Sequence, residues 1–132
     1  MDAELEESST QHEDRIVSQS ETLLPAGSQD EIRRGVDDLD EILRPLGLET
    51  SLVVIRRASS LALYFICLTL AALMSLRDQW RSQQLRDIVV EKLFTFLSGA
   101  TRGVYVKRLT WPLTDYHRSL NFFISVQSKQ TI

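Results

Sequence analysis

ASSLALYFICLTLAALMSL, residues Ala58 to Leu76, is the stretch on which the reading of this chain turns. Its nineteen residues carry no charge, and Arg56 and Arg57 precede it while Arg77 and Asp78 follow it. Wound as an α-helix with about 1.5 Å rise per residue, it would reach roughly 28 Å, close to the ~30 Å hydrocarbon core of a bilayer. Its leucines fall on every side, whereas a helix on the surface of a soluble domain keeps a polar stripe. Ser59, Ser60, Thr69 and Ser75 can return their hydroxyls to carbonyls one turn back, which hydrocarbon tolerates. The pattern predicts an all-α chain organised on a single transmembrane helix at about 58–76. The alternative keeps the same helix as the core of a soluble helical bundle that regulates other helical proteins.

Charge is divided around this stretch. Residues 1–57 carry a net −8 and residues 77–132 a net +5, within a total of −3. An acidic opening without a basic start or an apolar core is not a secretory signal, so the central segment would act as its own anchor. Such an anchor suits an integral, single-pass protein of the endoplasmic reticulum or the mitochondrial outer membrane. Arginines near the two ends balance, which leaves its orientation open. Arg56, Arg57, Arg77 and Trp80 are the expected membrane-interface residues, the arginines at headgroup level and the indole with its N–H wet.

Outward from the stretch, residues 1–27 are rich in Glu, Ser, Gln and Asp and predict a disordered acidic tail. Ser28-Gln29-Asp30-Glu31 is a capping box that starts a short acidic amphipathic helix over 28–44. Ile32, Val36, Leu39 and Leu43 form its apolar stripe, and Pro45 ends it. A long helix is expected over 51–98, containing the span and an amphipathic extension at 82–98. Leu85, Ile88, Val89, Leu93 and Phe96 lie along that extension as partner-binding positions, as do the four residues of the first stripe. Residues 99–132 read as a turn at SGATRG, a strand-like segment Val104–Trp111 and a short helix after Pro112.

Within the acidic helix, residues 31–40 resemble the death-agonist helix that docks into the groove of apoptosis regulators. Ile32 and Leu39 match apolar anchors and Asp37 the motif's aspartate, while Gly35 and Val36 depart from it. The resemblance implies groove binding by that helix.

Chemistry is sparse. His12 and His117 stand in separate segments, and Cys67 is the sole cysteine, so no disulfide within the chain, metal cluster or catalytic set can be assembled. The chain is expected not to be an enzyme, to hold no cofactor or metal and to bind no nucleic acid. Its expected partners are membrane lipid and other proteins, with homo-oligomers as a further option. The functional expectation is a single-pass membrane adaptor or small subunit of a membrane complex. A small self-assembling pore is the other membrane alternative, and it would lack an ionisable residue to line its channel.

Overall fold

Val53, Val54 and Ile55 gather three β-branched side chains just ahead of the apolar stretch, and β-branching favours an extended backbone. The computed structural model describes residues 1–6, 10–24, 36–57, 60–99 and 103–130, and this run is a strand within it. The elements in chain order are β1 (Asp2–Leu5), α1 (Thr10–Leu23), α2 (Val36–Leu43), a 3-10 turn (Arg44–Leu46), β2 (Thr50–Arg57) and β3 (Leu61–Cys67). There follow α3 (Leu70–Arg81), a π-helical segment (Leu85–Val90), α4 (Glu91–Ser98), β4 (Val106–Thr110) and α5 (Leu113–Gln130).

The all-α expectation is overturned. Residues 58–76 hold a strand and part of a helix, divided where Thr69 caps α3 by accepting the Ala72 amide at 3.1 Å. No helix among the described residues is long and apolar enough to cross a membrane. The transmembrane helix expected at 58–76 and the integral, single-pass location built on it therefore fall, and 58–76 is not a single bundle-core helix either. The interface residues have other work. Arg56 and Arg57 end β2, where Arg57 pairs with Glu13 and Asp14 of α1. The Trp80 indole N–H donates to the Leu109 carbonyl at 2.8 Å. The acidic tail supplies β1 and α1, with Ala3 and Ile16 wholly buried. The capping box and Ile32 lie outside the described residues, and the acidic helix is seen from Val36 onward.

The four strands form an antiparallel sheet in the order β2-β3-β1-β4. One face buries Ala3, Leu5, Leu61, Leu63, Leu52 and Ile55. Leu52 and Ile55 are three apart, yet both face inward because Val53 is an extra residue between the pairs Leu52–Phe65 and Val54–Tyr64. A bulge of this kind restores the inward phase at the cost of strict alternation. Helices cover that face: α1 packs on β2 and α4, α3 on β2 and β3, the π-helical segment on β4, and α5 on α3. Phe94, Leu85, Leu93 and Val90 are fully buried between these layers. Each such side chain removed from water contributes about 1.5–3 kcal/mol.

Side chains of α4 fix where β4 begins. The Thr95 hydroxyl accepts the Val104 amide at 2.8 Å, and the Glu91 carboxylate accepts the Val106 amide at 2.7 Å.

Candidate functional site

β3 is paired along its length with β2 but only over its first half with β1. Asp2 lies opposite Ala62 and Ala3 opposite Leu61. Met1 then exchanges two hydrogen bonds with Leu63, donating to its carbonyl at 3.1 Å and accepting from its amide at 2.7 Å. Backbone groups alternate sides along an antiparallel strand, so Phe65 and Cys67 turn theirs the same way as Leu63. Among the described residues none pairs with Phe65 or Cys67 on that side, and β3 presents an open edge there.

A groove of about 500 Å³ lies along that edge. β3 lines it from Leu63 to Cys67, α5 contributes Asp115, Arg118, Ser119 and Phe122, and Leu73, Leu76 and Trp111 line the space between. Much of its rim is apolar and uncovered: Tyr64 is 49% exposed, Ile66 50% and Phe122 63%. The apolar stretch of the sequence thus divides in two. Leu61, Leu63, Leu73 and Leu76 enter the core, whereas Tyr64, Ile66, Leu68 and Met74 face outward.

Arg77 fixes the wall opposite β3. Its guanidinium carbon lies 4.3 Å from the Trp80 ring centre, 5.1 Å from that of Trp111 and 4.9 Å from that of Tyr116. Its Nη1 donates to the Trp111 carbonyl at 2.9 Å. Trp111 also meets Tyr116 edge to face, with centres 5.6 Å apart. Contact of one cation with three rings joins α3 to the first turn of α5.

Cys67 lines the groove half-buried. Burial pushes its thiol above the usual range, and the Thr50 hydroxyl, 3.8 Å from the sulfur, opposes that shift. The thiol is therefore protonated at neutral pH, and in that form it is a weak nucleophile.

The positions expected to bind partners are dispersed. Leu39, Leu85, Val89 and Leu93 are at most 1% exposed inside this chain's own core. Leu43 and Phe96 pack against that core partly covered, while Ile88 remains 41% exposed beside Phe96 in a separate shallow pocket. Val36 opens α2, and Ile32 lies outside the described residues. None of these positions lines the groove beside β3. The sequence reading missed Tyr64, Ile66 and Phe122; the signal available for the first two was the β-branched run 53–55, which offers the apolar stretch a strand partner.

Comparison of the chain with protein-family models, curated proteins and solved structures finds no match.

Proposed function

We propose that this chain is a non-enzymatic protein-interaction module that takes up an extended segment of a partner protein as an added strand on β3. The observation that carries the reading is the open edge at Phe65 and Cys67 facing an apolar groove. Unpaired strand edges are templates for another chain, and peptide docking between a sheet edge and a helix is a recurrent use of them. Main-chain hydrogen bonds would supply affinity, and alternate side chains of the peptide would meet the groove on one side and water on the other. The adaptor role expected from the sequence is kept, with the binding element moved from amphipathic helices to a strand edge and no membrane span.

A random-peptide display library panned on the full chain supplies the probes. Selected peptides are expected to carry apolar residues at every second position. On binding they should protect the Phe65 and Cys67 amides from hydrogen exchange and slow alkylation of the Cys67 thiol. Phe122→Glu and Ser119→Trp, one charging and one filling the groove, should each weaken binding at least about tenfold, or ~1.4 kcal/mol. Undiminished binding to both variants, or unprotected amides, overturns the proposal. So does a dimer of this chain that Phe122→Glu dissociates, because a second copy would then own the edge.

A further inference from the structure

A second concavity, of about 280 Å³, lies where the end of α3 meets β4, and its electrostatics differ from those of the groove. Trp80, Arg81, Gln83, Arg86, Lys107, Arg108 and Leu109 line it: four cations and no carboxylate, in a chain whose net charge is −3. The four come from three places in the sequence, namely the last turn of α3, the π-helical segment and β4. Four carboxylates stand around it: Glu6 and Glu91 act on Arg86 through its electrostatic surroundings, and two more are in contact with its cations. Asp87 accepts from Arg86 Nε at 2.8 Å, and Glu4 lies 3.9 Å from Lys107 and opposite Arg108 in the sheet. None of these four carboxylates lines the concavity, whose own charged residues are all cations.

One of the four cations is held in position. Gln83 has φ 68°, the only positive φ outside glycine among the described residues, a left-handed conformation that a residue with a Cβ adopts only under strain. From there its side-chain oxygen accepts from Arg86 Nη2 at 2.8 Å while Asp87 takes Nε. Bonded on two sides, the guanidinium has little freedom left to lose on meeting an anion. The hydrogen bond to Asp87 also holds Arg86 more firmly protonated than an ordinary arginine. Backbone strain retained beside a π-helical segment is a pattern that accompanies functional sites.

We propose that this pocket binds clustered phosphate groups, with Arg81, Arg86, Lys107 and Arg108 as the ligating side chains. Guanidinium forks match phosphate oxygens in pairs, and a compact polyanion satisfies several cations at once. The site is separate from the β3 edge, and its test does not depend on peptide docking.

Trp80 lines the pocket and reports on it by fluorescence, with titration calorimetry as the second readout. Inorganic tripolyphosphate and inositol hexakisphosphate are the soluble probes, and phosphatidylcholine vesicles with and without a phosphoinositide are the third. Saturable binding is expected, weakening steeply as salt is raised. The double variant Arg81→Glu/Arg108→Glu should bind at least about 100-fold more weakly, and Arg81→Gln alone about tenfold, or ~1.4 kcal/mol, since each removes charge-assisted hydrogen bonds to phosphate. Arg44→Glu/Lys92→Glu changes net charge equally away from the pocket and should bind as the unaltered chain does. Binding of the soluble probes assigns the phosphates to a small molecule, and binding of phosphoinositide vesicles alone assigns them to a headgroup; either keeps the site. Absence of binding to all three probes, or an equal loss in the Arg44/Lys92 control, overturns it.

Discussion

Arg77 carries more of the architecture than its place at the end of an apolar run suggests. Cation–π contacts are worth about 0.5–1 kcal/mol each at exposed sites, and a hydrogen bond to a carbonyl adds ~1 kcal/mol. Arg77→Ala is therefore expected to lower stability by roughly 2.5–4 kcal/mol in urea denaturation. Arg77→Lys should lose at least half of that, because a compact ammonium cannot reach three rings and the Trp111 carbonyl at once. Equal stability of the lysine variant and the unaltered chain would refute these guanidinium contacts as the source. In the sequence, Arg77 and Trp80 looked like a membrane boundary because an indole needs one wet or hydrogen-bonded end. The sequence does not say whether water or a carbonyl meets that N–H, and here it is Leu109.

Among the elements, the β2–β3 hairpin was the least legible. Every residue from Leu61 to Cys67 is apolar except for the tyrosine hydroxyl, so no period-two signal appears. In β2 the bulge at Val53 places inward residues three apart, a spacing that also suits a helix. The helical stripe at 85–97 was legible, but its role was not: a face apolar enough to bind a partner is equally suited to its own core. Turn glycines give a sharper test at this scale. Gly99 ends α4 with φ 65° and ψ 17°, a left-handed conformation open to other residues at roughly 1 kcal/mol. Gly47 follows the 3-10 turn with φ 87° and ψ 172°, a region essentially confined to glycine. A Cβ at Gly99 would meet the Arg15 guanidinium at 3.1 Å, while one at Gly47 would meet nothing within 4 Å. Backbone strain outweighs a contact that a flexible arginine can relieve. Thermal melts should accordingly show Gly47→Ala costing about 1–3 kcal/mol and Gly99→Ala about 1 kcal/mol. The reverse order would mean that the arginine cannot move.

Across the whole molecule, β1 is the element whose position matters most. It lies inside the sheet, with β3 on one side and β4 on the other, although its sequence is short, acidic and easily taken for a tail. Ala3→Asp would place a carboxylate at a fully buried position and should cost at least about 3 kcal/mol, as for other unpaired buried charges. Glu4→Ala, on the exposed face of the same strand, should stay within ~0.5 kcal/mol. Similar melting temperatures for the two variants would contradict a central β1. Its position also bears on how the chain assembles, since Asp2 must find Thr110 before the last strand has a neighbour. The hairpin and its helices can form from nearby residues, but the sheet closes only when two regions almost a chain length apart meet. Loops that long close slowly, so β4 and the helix it leads into should be the last parts to settle during synthesis on the ribosome. Until then the side of β1 that β4 will take is a bare edge for other nascent chains, a hazard that this closure removes.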